Sequence, residues 1–111
     1  MKGAGARNKG ASGERELADI LTRAFGREVR RKLGQARDGG DDLQVDHFRI
    51  EAKRRETIAI VKWCEQVEAT AETGEIPVVM FRRNREPWRV CLLLDDFIPM
   101  MKQNIKGGIL D

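Results

Sequence analysis

Two alternating runs meet in the middle of this chain and decide much of its architecture. From Asp41 to His47, Leu43 and Val45 alternate with Asp42, Gln44 and Asp46. From Phe48 to Lys53, Phe48, Ile50 and Ala52 alternate with Arg49, Glu51 and Lys53. Successive side chains on a strand point to opposite faces, so each run is a strand with one apolar face. Runs this close together read as a hairpin. Its apolar face has to be covered by another element.

The rest of the chain supplies the cover. Ser12 reads as an N-cap, with Arg15 onward helical: Leu17, Ile20, Leu21 and Ala24 follow the i, i+3, i+4, i+7 spacing, and Gly26 ends the helix. Residues 1–10 read as a flexible basic arm with Lys2, Arg7 and Lys9. Glu28 to Lys32 reads as a short strand, and Leu33 to Gly40 as a glycine-rich loop. Ile60, Trp63, Cys64, Val67 and Ala71 keep helical spacing up to Gly74. Pro77 to Phe81 and Trp88 to Leu94 read as strands, Asp95 to Met101 as a last helix, and residues 103–111 as a loose tail. The order α, β, β, β, α, β, β, α predicts a single mixed α/β domain with a central sheet flanked by helices. At 111 residues the chain has the length of one domain.

Composition excludes several classes. The longest uninterrupted apolar run is Val90 to Leu94, far short of the ~20 residues of a membrane span, and residues 1–13 hold no secretory apolar segment. Cys64 and Cys91 have no CxxC spacing and read as small buried hydrophobes. An intracellular, cytoplasmic location is expected, the host cytoplasm if the source is viral. Residues 1–40 carry ten basic and five acidic side chains, which points to a polyanionic partner. No phosphate-cradling GxxxxGK[ST] occurs, and few aromatics are present to stack single-stranded bases.

The chemistry concentrates on the hairpin. Glu51 and Lys53 share one strand face, and a tight turn brings Asp42 near them at the open end. Gly39 and Gly40 let the backbone bend just before it. Two carboxylates brought together repel unless a cation lies between them. The donors are all oxygens, which suits Mg2+, with Mn2+ as a substitute, and argues against zinc. On the first helix, Glu14 falls about 70° from the centre of the apolar stripe, at its edge, while Arg15 points outward. Arg30, Arg31, Lys32 and Arg37 flank this cluster and Arg54 and Arg55 follow it, as a track for a DNA backbone would.

Together, "NKGASGERELADIL", "DDLQV" and "IEAK" resemble the archaeal Hjc-type Holliday junction resolvases of the PD-(D/E)xK nuclease superfamily. The later "IPVVMF" and "WRV" are similar to the last two strands of that family, so the resemblance runs from about Asn8 to Val90. It implies a restriction-endonuclease-like core. It makes Glu14 the N-terminal acid of the site, Asp42 the motif aspartate, and Glu51 and Lys53 the ExK pair. Lys9 and Arg15 match basic residues of the family's opening motif. The loop "RRKLGQARDGG" lacks the family's serine, and Asp41 stands where a proline is usual.

The resemblance further implies metal-assisted phosphodiester hydrolysis. Asp42, Glu51, the carbonyl of Ala52 and Glu14 would hold Mg2+, and Lys53 would orient water or neutralise charge. The expected enzyme is a homodimer that resolves four-way DNA junctions by paired nicks, since a two-fold substrate calls for two sites. Ile58 to Val67, or the strand around Trp88, would supply the interface. One alternative is a PD-(D/E)xK nuclease acting on duplex, flap or other branched DNA. Another is a non-catalytic DNA-binding module, which would gain nothing from acids facing phosphates.

Overall fold

The computed structural model describes residues 2–32 and 42–105, with side chains described for 13–29 and 43–105. The loop 33–41, which contains Arg37 and Asp41, lies outside the described residues, as do 106–111.

The hairpin expected from the alternating runs forms between β2 (Asp42–Val45) and β3 (Phe48–Arg54). Val45 pairs with Phe48, so only Asp46 and His47 make the turn. Asp46 takes a left-handed φ of 51°, which a short polar side chain tolerates. Gln44 Nε2 donates to the Asp46 carbonyl at 2.8 Å, and a His47 ring nitrogen lies 2.7 Å from the Asp46 carboxylate. This hydrogen bond holds the Asp46 carboxyl below its ordinary value.

β1 (Arg30–Lys32) pairs antiparallel with β2 on one side. On the other side, β4 (Ile76–Arg82) runs parallel to β3, and β5 (Arg89–Leu92) pairs antiparallel with β4. The result is a five-stranded mixed sheet in the order β1-β2-β3-β4-β5. Parallel neighbours cannot be joined by a tight turn, and α2 (Ile60–Thr70) makes the crossover. Helix α1 (Lys2–Phe25) precedes the sheet and α3 (Leu94–Asn104) follows it. The expected element order and fold class are both found. None of the described helices is long and apolar enough to cross a membrane.

Both sheet faces are covered. Leu17 of α1 packs with Leu43, Val45, Ile50 and Val78 on one side. Trp63 and Val67 of α2 pack with Val79 on the other, with Phe81 and Cys91 against them. Strand parity therefore assigns the even positions of β3 to the α1 layer and the odd ones to the α2 layer. Arg49, Glu51 and Lys53, expected on an open polar face, are buried beneath α2. Arg49 meets this burial by pairing with Glu75 at 3.3 Å.

Helix α1 departs from expectation in two ways. It begins at Lys2, so residues 2–10 are helical rather than a loose arm, and Ser12 is interior rather than a cap. Ala4, Ala6, Arg7, Lys9 and Ala11 are good helix formers, and extending a nucleated helix is far easier than starting one. The helix is also rolled. Leu17 is buried, with Ala18 and Leu21 packed beside it, whereas Ile20 is 37% exposed and Ala24 is open to solvent. The buried face thus centres about 60° from the apolar stripe, close to the direction of Glu14. Polar and steric contacts fix that roll. The Val29 N–H donates to the Thr22 hydroxyl at 3.2 Å, and Glu16 is held by Arg82.

Candidate active site

Beyond Arg49, strand β3 carries two more charges into the interior. Glu51 is 5% exposed and Lys53 6%, and Lys53 Nζ lies 3.3 Å from Glu51 Oε1. Val79 and Phe81 are their register partners on β4, and the Trp63 ring lies 6.0 Å from Lys53 Nζ. The β2–β3 register sets Asp42 directly opposite Glu51. Directly opposed positions in an antiparallel pair share a face, about 5 Å apart at Cβ. The hairpin therefore brings the Asp42 position, Glu51 and Lys53 together, as the alternating pattern implied. Apolar side chains would fill this space at lower desolvation cost, so a charge cluster here makes a candidate site.

Glu14 arrives from the other layer. It is 6% exposed and lines a cleft of about 290 Å³ with Ala18, Thr22 and Val29. Its position depends on the glycine before it. A Cβ on Gly13 would lie 2.8 Å from Arg54 Cβ, a distance real Cβ atoms do not tolerate. The bare backbone of Gly13 thus lets α1 touch the end of β3, one residue beyond Lys53. Glu14 therefore follows directly on the residue that meets the end of β3.

A charged clamp holds the contact. Arg82 Nε and Nη2 donate to the two carboxylate oxygens of Glu16, each at 2.9 Å. The Arg82 guanidinium lies 5.5 Å from the Trp88 ring, and Arg54 Nη1 stands 3.8 Å from Glu16. A two-pronged arginine–carboxylate pair fixes orientation as well as distance. Sequence reasoning missed Gly13 and Arg82. Gly13 carries no local signal, and Arg82 lies 66 residues from its partner, beyond the reach of any local pattern.

The basic residues fall into three groups. Arg15 is exposed on α1 next to Glu14. Arg30, Arg31 and Lys32 form β1, where Lys32 pairs with Asp42, so this run lies one strand from the acids. Lys9 lies within α1. Arg54 and Arg55 are half-buried and have protein partners, Arg54 on Glu16 and Arg55 Nη1 donating to the Arg54 carbonyl at 3.0 Å. These two arginines support the α1–β3 contact.

The donor set suits a hard divalent cation: carboxylates from Glu14, Glu51 and the Asp42 position, and the Ala52 carbonyl between Glu51 and Lys53. Among the described side chains, no group of three or more His, Cys, Asp or Glu is placed to hold a metal ion. The register adds the Asp42 position to Glu51.

Comparison with known proteins follows this geometry. Residues 5–106 match the family described as "Phage putative PDDEXK endonuclease". The match covers all five strands, α2, α3 and all but the first three residues of α1, and agrees with the superfamily read from the motifs. It is to a phage family, so the archaeal resolvase assignment does not follow from it. Neither the curated proteins nor the solved structures searched give a match.

Proposed function

This chain belongs to the phage PDDEXK endonuclease family, and we propose that within it the protein is a divalent-metal-dependent DNA endonuclease selective for four-way junctions. One observation carries the nuclease chemistry: the register opposing Asp42 to Glu51, with the Lys53 ammonium 3.3 Å from Glu51 inside a buried site. Glu51, the Asp42 carboxylate, the Ala52 carbonyl and Glu14 are the groups that would hold the metal, Mg2+ in the first instance. When bound, the metal supplies an acidified water and charge stabilisation at the scissile phosphate.

The residues of the chain do the rest. Lys53 stabilises negative charge on the phosphate and holds water in place with its three N–H donors. Burial under Trp63 removes competing solvent and strengthens that attraction. Arg15 and the β1 run Arg30, Arg31 and Lys32 offer phosphate contacts on the side of Asp42. Lys9 extends the basic surface along α1.

Junction selectivity is supported by the likeness of residues 8–21 to the opening of the junction resolvases. A substrate with two-fold symmetry also calls for a two-fold enzyme. The test is cleavage of a labelled four-way junction and a matched linear duplex with Mg2+. Wild type should nick opposite strands of the junction symmetrically and leave the duplex intact, and Asp42→Asn and Glu51→Gln should both be inactive. Equal cleavage of duplex or flap would replace the junction reading with a general nuclease. Tight binding without metal-dependent cleavage would overturn the catalytic assignment.

A further inference from the structure

Helix α3 presents an apolar stripe that no described residue covers. Leu94, Phe97, Ile98 and Met101 stand at i, i+3, i+4 and i+7, and their exposures run from 38 to 66%. No residue of the helix is buried. Leu94 and Phe97 continue into the side chains of β5, and together with Val90 and Leu92 they line a shallow groove of about 490 Å³. Leu93, also exposed, extends the patch. β5 is an outer strand of the sheet, so the groove lies at the sheet's edge. These apolar side chains expose on the order of 500 Å², near the upper end for patches on monomers, which are often functional.

The charges around the stripe say what covers it. Asp95 and Asp96 lie in the first turn of α3 and Lys102 in the last. At about 100° per residue, Asp95 and Lys102 fall on the same flank, about 110° and 90° from the stripe's centre. A two-fold axis perpendicular to the helix keeps a flank on its own side and reverses the direction along the helix. Such an axis brings Asp95 of one copy to Lys102 of the partner subunit, and the reverse pair forms at the other end. The helix dipoles then run antiparallel, with each acid at an N-terminus and each lysine at a C-terminus. We propose that α3 and the edge of β5 form an isologous dimer interface, its occupant a second copy of this chain. The apolar stripe would form the core of an interface of about 800 Å² per partner.

Other occupants fit less well. An anionic lipid surface favours helices flanked by lysine and arginine, and this stripe is flanked by two aspartates at one end. DNA would be repelled by the same pair. The inference deepens the proposed function at one point, the need for two sites, and rests on that reading only for its purpose. It also moves the interface from Ile58–Val67 and Trp88, where the sequence suggested it, to α3.

Sedimentation of the full chain without DNA or metal tests it. Wild type at tens of micromolar should have about twice the 12.6 kDa chain mass. Phe97→Asp should give a monomer with unchanged circular dichroism, since Phe97 is not a core residue. Asp95→Lys and Lys102→Asp should each weaken dimerisation about tenfold or more. Mixed together, those two variants should associate with each other, because both cross-pairs then join opposite charges. Three results would overturn the proposal: a monomeric wild type, a dimer indifferent to Phe97→Asp, or a monomer that sediments with anionic vesicles. A monomer that still resolves junctions would remove this interface and leave the nuclease reading standing. A dimer that cleaves nothing would do the reverse.

Discussion

Gly13 shows how much of a site can rest on an absent side chain. Its bare backbone lies against Arg54, and a methyl there would sit 2.8 Å from Arg54 Cβ. Two effects oppose each other in Gly13→Ala. Alanine gains about 1 kcal/mol of helix propensity. Overpacking a close contact costs about 1–3 kcal/mol. The contact cancels the gain or outweighs it by up to about 2 kcal/mol, so the melting temperature should fall by at most about 8–16 °C. Relief of the overlap must come from moving α1 away from β3, which carries Glu14 with it. Cleavage of DNA by Gly13→Ala should therefore fall at least tenfold, well beyond the change in stability. Calorimetry and cleavage rates on one preparation separate the two effects, and full activity in Gly13→Ala would remove Glu14 from the site. The hairpin acids, by contrast, were legible directly. Alternation placed Glu51 and Lys53 on one face, and a tight turn brought Asp42 near them, although its place opposite Glu51 follows from Val45 pairing with Phe48. What alternation could not show is that this polar face is buried, because the covering helix is specified elsewhere in the chain.

At the scale of elements, the element order and the central hairpin were readable, whereas the strand order of the sheet and the roll of α1 were not. The apolar spacing of Leu17, Ile20, Leu21 and Ala24 counts side chains equally, but a helix docks through its best contacts. Here those are Gly13 on Arg54, Glu16 on Arg82 and Thr22 on Val29, each reaching a residue that local periodicity does not see. The start of α1 at Lys2 was hidden by its glycines. The second docking contact, α2 on the sheet, was hidden too. Cys64 of α2 and Cys91 of β5 stand 27 residues apart in sequence, yet the Cys64 thiol donates to Cys91 Sγ at 3.6 Å. Both are free thiols. Burial, with the hydrogen bond to Cys91 second, pushes the Cys64 thiol up to about 12 from an ordinary 9.0. The nucleophile is the thiolate, so a raised value means a smaller reactive fraction at any pH below it. Cys64 should be alkylated by iodoacetamide at pH 8 about a thousandfold more slowly than a free peptide thiol. Its rate should climb tenfold per pH unit through pH 10 with no plateau. Peptide-resolved mass spectrometry reads this, and a plateau near pH 9 would show that α2 does not seal the thiol.

For the whole molecule, the central question is what balances the charge gathered at the start of β2 and the end of β3. Lys53 gives Glu51 a cationic neighbour and the register sets Asp42 on the opposing strand, while the proposed site adds Glu14 from the α1 layer. Like charges confined in a low-dielectric space raise the energy of the folded state, and a bound cation removes that repulsion. A ligand that binds only the folded state stabilises it, by about 2.7 kcal/mol at a hundred times its dissociation constant. For a domain of this length 1 kcal/mol moves the melting temperature by about 4–8 °C. Millimolar Mg2+ or Mn2+ should therefore raise the melting temperature of the wild-type chain by several degrees, in the absence of any DNA, and EDTA should reverse the shift. Asp42→Asn and Glu51→Gln should abolish it while leaving the metal-free protein folded. The argument is one of placement: a cation screening the surface at random would stabilise all three proteins alike. An identical shift in wild type and in both variants would therefore place the metal elsewhere. The hairpin register would then have to be explained by the fold alone, although burying Glu51 and Lys53 gains the sheet less than two apolar side chains would.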